Sequence, residues 1–122
     1  MRMAGLLTLV FAPMLALGCD EKRTPEEYTV RGRITAMPAG EQSEELDIHH
    51  EAIPTYKHRD GQVRGMDAMV MTFAPASGTS LQGLAVGDPV QMTFEVRWDE
   101  HPALVIRQIQ ELQPDTQLGF EP

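Results

Sequence analysis

Apolar and polar residues alternate along positions 90–98 of this 122-residue chain. Because successive side chains of a β-strand point to opposite faces, this alternation predicts a strand with one buried face. The turn sequence Gly87-Asp88-Pro89 lies directly before the segment and marks where the strand begins. The residues on the predicted buried face are Val90, Met92, Phe94, Val96 and Trp98.

Four other segments predict shorter or less regular strands. Alternation is clear at positions 28–36, where Gly32 is a candidate bulge or barrel bend, and at positions 46–50 and 69–73. Positions 103–112 change phase partway along, which a bulged strand or a short helix would both explain. Five short strands, without a long helix or a repeat, predict an all-β fold: a small closed or nearly closed barrel that leaves no exposed strand edges.

The N-terminus has the pattern of an exported protein. Arg2 precedes an apolar stretch at positions 6–17 that is too short to span a bilayer. The sequence Leu15-Ala16-Leu17-Gly18-Cys19 then resembles a bacterial lipobox, so we expect Cys19 to be lipidated after cleavage. An ordinary signal peptide followed by an incidental cysteine is the alternative. The expected organisation is a lipoprotein signal peptide (1–18), a flexible tether (19–27), a barrel (28–113) and a C-terminal tail (114–122).

The processed chain is expected to be acidic and to have no free thiol. Removing positions 1–18 leaves 104 of the 122 residues, and the loss of the single charge of Arg2 changes the formal net charge from -8 to -9. Such a chain repels phosphate backbones, so we expect no nucleic-acid partner. With its only cysteine acylated it can form neither a disulfide nor a thiolate site. Any metal must therefore be held by other side chains.

One set of side chains can hold a soft metal ion. Met69 and Met71 are two positions apart, so on a strand both thioethers project from one face, about 7 Å from each other. His50 has the inward phase of its own strand and would complete a His-Met-Met site if strands two and three are neighbours. Met66 is a candidate fourth ligand. Neutral, polarizable thioether sulfur favours Cu(I) or Ag(I) over Zn²⁺, Mg²⁺ or Ca²⁺.

The same residues also have a purely structural interpretation. Methionine pairs on strands commonly fill a core, and a lone histidine of inward phase is commonly a hydrogen-bonded core residue. Nothing resembling a nucleophile or a cofactor loop accompanies Glu51, Asp60 and Asp67, so we interpret these carboxylates as turn and surface charge and expect no enzyme. The remaining histidines are expected at the surface: His49, His58 and His101.

Three motifs follow one another along the chain. They are Ile48-His49-His50-Glu51-Ala52-Ile53-Pro54, Gly65-Met66-Asp67-Ala68-Met69-Val70-Met71-Thr72-Phe73 and Gly87-Asp88-Pro89-Val90. In this order they resemble the CusF family of periplasmic copper-binding proteins, over positions 28–112. The resemblance implies a five-stranded OB-like barrel that carries Cu(I) or Ag(I) as cargo. It also implies one histidine and two methionines as ligands, which correspond here to His50, Met69 and Met71.

The chain departs from this family pattern at position 66. Family members often place a tryptophan three residues before the first ligand methionine, where the ring caps the metal. Here the position is occupied by Met66, which is either an extra ligand or leaves the site more open to solvent and oxidation. Trp98 lies on another strand and is expected to be a barrel residue, with metal capping as the alternative.

Together these features predict a metallochaperone on the periplasmic side of the inner membrane, held there by its lipid anchor. It would capture Cu(I) or Ag(I) and transfer the ion by stepwise replacement of its ligands. The resemblance implies a recipient that is either a copper efflux component or a copper-oxidase assembly protein, and we expect the chain to be a monomer. The alternative from another class is a metal-free OB-type interaction module of an envelope complex, with the methionines as core.

Overall fold

The computed structural model describes residues 25–40 and 43–121, in which five β-strands close into a barrel. The strand order around the barrel is β1-β2-β3-β5-β4, and β4 pairs again with β1. Neighbouring strands are antiparallel except β3 and β5, which are parallel. The predicted five-stranded, OB-like barrel is therefore confirmed. The strands are β1 (Glu26–Ala36), β2 (Leu46–His50), β3 (Met69–Pro75), β4 (Pro89–Val96) and β5 (Leu104–Glu111).

Three expectations concern residues before Pro25, where the described part of the chain begins. They are the signal peptide, the lipidation of Cys19 and the part of the tether up to residue 24, all of which lie outside the described residues. Across the described part of the chain, no helix has the length and apolarity that a membrane crossing requires.

Aromatic side chains from three strands meet at the centre of the barrel. The ring of Phe94 lies 5.0 Å from that of Phe73 and 5.7 Å from that of Tyr28, measured between centroids. Edge-to-face and tilted contacts at these distances are favourable for aromatic pairs. Fully burying an apolar side chain of this size contributes roughly 1.5–3 kcal/mol. The inward faces predicted for β1 and β4 therefore contribute to the core, and Phe73 is the fully buried member of the predicted β3 face. The other fully buried residues of the core include Ile34, Leu46, Ile48, Met92, Val90, Val96 and Ile106.

Strand β1 begins earlier than the sequence pattern predicts. Glu26 and Glu27, which we assigned to the tether, pair with Val96 and Glu95 of β4. The two glutamates break the apolar alternation, but backbone hydrogen bonding to β4 does not depend on side-chain polarity. The barrel therefore starts at Glu26, two residues before Tyr28.

Strand β4 ends earlier than its alternation predicts. Leu104, the first residue of β5, pairs with Val96, and the chain from 97 to 103 forms the connection between the two strands. Trp98 lies in this connection rather than on β4, partly buried against the core. The guanidinium carbon of Arg59 lies 5.9 Å from the centroid of its ring, a cation-π distance. Trp98 therefore joins the barrel to the loop that carries Arg59.

The segment at positions 103–112 is a bulged strand and not a helix. Thr93 of β4 pairs with Gln108, whereas the next residue, Phe94, pairs with Ile106. Arg107 is thus an extra residue in β5. The extra residue shifts the alternation by one position, which explains why the apolar residues of this segment change phase.

Gly32 lies where β1 separates from β4 and joins β2. Its pairing partners are Val90 on one side and His50 on the other. A Cβ atom at this position would lie 2.7 Å from the carbonyl oxygen of His49 and 3.0 Å from the Cα atom of His50. Only glycine permits this approach, so the chain requires Gly32 where β1 contacts β2. The bulge of β1 lies three residues later, at Thr35.

We expect the substitution Gly32→Ala to lower the free energy of unfolding by about 2 kcal/mol, because the new methyl group overlaps backbone atoms of β2. Urea unfolding followed by circular dichroism measures this. The control is Gly119→Ala, whose new Cβ atom meets its nearest neighbour, an oxygen of Glu51, at 3.5 Å. The control should stay within about 0.5 kcal/mol of the unsubstituted protein. Equal stability of the two variants would contradict the close approach at Gly32.

Candidate metal centre

The predicted ligands meet on the antiparallel pair formed by β2 and β3. His50 pairs directly with Met69, and Ile48 pairs with Met71. Directly paired residues point to the same face of a sheet, with Cβ atoms about 5 Å apart. The imidazole of His50 therefore has Met69 directly opposite it and Met71 at the neighbouring diagonal position. Farther along the same face lies Phe73, which is fully buried.

The two ring nitrogens of His50 have different surroundings. Nδ1 lies 2.7 Å from the carbonyl oxygen of Glu51. A carbonyl oxygen can only accept a hydrogen bond, so Nδ1 carries the proton and Nε2 presents a lone pair. Within the described residues, this Nε2 is buried and has no hydrogen-bond partner. The imidazole thus has the orientation and tautomer of a metal-binding histidine, whose second nitrogen is held by a carbonyl group.

Exposure differs sharply between the histidine and the methionine opposite it. His50 is fully buried, whereas Met69 is 43% exposed and Met71 is partly exposed. Met92, in contrast, is 1% exposed and fits the core-filling interpretation of methionine. Met69 does not fit that interpretation. An ion bound here would contact a buried nitrogen on one side and solvent-accessible thioethers on the other.

Burial lowers the pKa of His50 below the ordinary value for histidine. The hydrogen bond to the Glu51 carbonyl opposes this shift, and the nearby His49 adds to it. Because a lowered pKa favours the neutral ring, the lone pair of Nε2 is retained at lower pH than in an exposed histidine.

Met66 lies three residues before Met69, in the connection between β2 and β3. The backbone groups of Ile53 and Met66 exchange two hydrogen bonds, of 2.8 and 2.9 Å, as an isolated antiparallel bridge. The bridge continues the register of the His50–Met69 pair across two unpaired residues on each side. Met66 is partly buried and packs against the core. Its backbone is thus fixed next to the candidate site.

The other histidines occupy different surroundings from His50. His49 faces the opposite side of β2 and stacks on Phe120, with ring centroids 3.9 Å apart. His58 is half-buried, and its Nε2 lies 2.9 Å from the carbonyl oxygen of Gly65. His101 is exposed. His101 is thus at the surface as expected, and His49 and His58 are partly exposed, each covered on one side by the contact just described.

Glu51 is also more than a surface charge. Its carboxylate accepts two hydrogen bonds from the Arg31 guanidinium, both of 2.8 Å, and one of 2.7 Å from the backbone amide of Gly119. The bonds from Arg31 lower the pKa of Glu51. Asp60 accepts a bond from the backbone amide of Gln62, two residues later, and so is a turn residue as expected.

Within the described residues, no cluster of carboxylate, imidazole or thiolate ligands lies beside the β2–β3 pair. Across residues 25–40 and 43–121, no three His, Cys, Asp or Glu side chains are grouped so that they could hold a metal ion.

Comparison with known proteins connects the barrel with one family. A family model described as copper binding periplasmic protein CusF matches residues 27–111. The solved structure of apo-CusF from Escherichia coli is 17% identical over 82% of this chain and 100% of that chain, with a TM-score of 0.49. CusF with Ag(I), from the same organism, is 18% identical over 73% and 95%, with a TM-score of 0.49. The C-terminal domain of SilB from Cupriavidus metallidurans is 32% identical over 77% and 99%, with a TM-score of 0.47.

No curated protein sequence matches the chain significantly. The family match itself covers more than half of the chain and extends from the second residue of β1 to the last residue of β5. It confirms the resemblance noted from the three sequence motifs, and the proteins of this family are metal-binding proteins rather than enzymes. The chain belongs to the CusF family of copper-binding periplasmic proteins.

Proposed function

We propose that this protein is a metallochaperone that carries Cu(I) or Ag(I) on His50, Met69 and Met71 and transfers the ion to a partner. The observation that carries the proposal is the buried Nε2 of His50, which has no hydrogen-bond partner in the described part of the chain. His50 also pairs directly with Met69 across the β2–β3 ladder. One imidazole and two thioethers form a neutral, soft donor set. Such a set discriminates against hard, strongly hydrated ions.

The arrangement of the ligands suits transfer. His50 would hold the ion from the barrel side, with its tautomer already set by the Glu51 carbonyl. The methionines would hold it from the solvent side, where Met69 is substantially exposed. A partner's soft ligands can therefore approach and replace the thioethers one at a time. Thioether sulfur carries no proton, so this replacement needs no proton transfer.

Met66 is proposed as a third sulfur ligand. The Ile53–Met66 bridge fixes its backbone close to the His50–Met69 pair, and its side chain is partly buried against the core, which supports this role. It occupies the position where the family resemblance implies a capping tryptophan. A third thioether would complete the coordination of the ion and shield it from water in place of an aromatic ring.

The proposed recipient is a copper efflux component or a copper-oxidase assembly protein, and the proposed membrane attachment is a lipid on Cys19. The lipobox-like sequence that ends at Cys19 supports the attachment. The formal net charge of -8 would favour a recipient with a basic docking surface.

We expect the double substitution Met69→Leu with Met71→Leu to weaken Cu(I) binding by at least about 100-fold, because two of the four proposed donors are lost while the apolar volume is retained. Competition with a chromophoric Cu(I) chelator under reducing conditions measures the affinity. Met92→Leu is the matched control, since Met92 is a buried core methionine on β4. If the double variant binds as tightly as this control, the metallochaperone proposal is wrong.

Affinity for Ag(I) is expected to respond to pH only through His50. Protons compete with the ion for Nε2, and burial lowers the pKa of His50, so the affinity should be constant from pH 8 to about pH 6.5. Below the lowered pKa it should fall by about tenfold per pH unit. Isothermal titration with Ag(I) over this range measures the profile, and a His50→Met variant should show no such decline. A decline that begins above pH 7 would contradict the role of a buried, neutral His50.

A further inference from the structure

The C-terminal segment, residues 118–121, docks beside the end of β2 that carries His50. The backbone amide of Gly119 donates a hydrogen bond of 2.7 Å to Glu51. The ring of Phe120 stacks on His49, with planes 9° apart. The segment lies beyond the residues 27–111 that the family model matches. It therefore holds, from outside the matched domain, the two residues that flank His50 in the sequence.

Glu51 links this segment to the imidazole of His50. Its side chain is fixed by two hydrogen bonds from Arg31 and one from Gly119. Its backbone amide donates a 2.9 Å bond to the carbonyl oxygen of Arg31. Its own carbonyl oxygen accepts the 2.7 Å bond from Nδ1 of His50. The direction of that carbonyl, and hence the orientation of the ring, depends on how firmly Glu51 is held.

We propose that Glu51 is a positioning residue for His50, and that Gly119 and Phe120 of the C-terminal segment hold Glu51 and His49 in place. The proposal rests on the metal site proposed above. A charge-assisted, bidentate bond from Arg31 fixes the carboxylate more rigidly than a single neutral bond would. Residues that orient a metal-binding histidine typically change metal affinity by about 10- to 100-fold. Docking of the segment thus sets the geometry of Nε2 and the residence time of the ion.

Matched variants separate these contacts. Gly119→Pro removes the amide hydrogen, whereas Gly119→Ala retains it and adds a methyl group that fits at 3.5 Å. Phe120→Ala removes the stacking on His49. Glu51→Gln abolishes the charge pair with Arg31, and Glu111→Gln removes an equal charge from an exposed position of β5. Circular dichroism of each variant checks that the barrel is retained.

The first readout needs no metal. Imidazole ¹⁵N chemical shifts of His50 report which nitrogen carries the proton, and we expect the Nδ1–H form to dominate in the unsubstituted protein. The combined Gly119→Pro and Phe120→Ala variant, and separately Glu51→Gln, should show an increased share of the Nε2–H form. Gly119→Ala and Glu111→Gln should match the unsubstituted protein. Unchanged shifts in Glu51→Gln and in the combined variant would overturn the proposal.

The second readout is the rate of Ag(I) dissociation to a competing chelator. We expect it to rise about fivefold in the combined variant and about tenfold in Glu51→Gln, and to stay within about twofold in the two controls. If the unsubstituted protein binds no Ag(I), the proposed function is wrong, and the ¹⁵N shifts still decide whether Glu51 positions His50. If it binds Ag(I) but the variants match the controls in both readouts, the positioning proposal is wrong and the metal site stands.

Discussion

The antiparallel register between β2 and β3 is the constraint on which the candidate site depends. It pairs His50 with Met69 and directs both side chains to the face occupied by the core. A slip of one residue would turn every side chain of one strand to the opposite face. The buried pair of Leu46 and Phe73 fixes the register at one end, and the Ile53–Met66 bridge continues it at the other.

The surroundings of His50 are difficult to explain as core packing alone. Leaving a buried polar atom without a hydrogen bond costs about 1–3 kcal/mol, a cost that an apolar residue at this position would avoid. Gly32 lies close to the backbone of β2 at His50, and the Glu51 carbonyl sets the tautomer of the imidazole. A soft metal ion would convert the unpartnered nitrogen from a destabilising feature into a ligand.

Local alternation in the sequence was enough to predict the strands and the faces of His50, Met69 and Met71, because side-chain direction follows directly from position in a strand. It was not enough to predict which strands are neighbours or where they end, as Trp98 shows. It also missed the cluster around Glu51, whose partners Arg31 and Gly119 lie 20 and 68 positions away. Such contacts follow from the closure of the barrel and the path of the C-terminal segment, which no short-range pattern encodes.

Anomalous diffraction from crystals of the Ag(I)-loaded protein would locate the bound ion and identify its ligands. We expect one ion in bonding contact with Nε2 of His50 and with the sulfur atoms of Met69 and Met71, and with the sulfur of Met66 as a further ligand. An ion located elsewhere, or one that leaves Nε2 of His50 unbound, would contradict the proposed site.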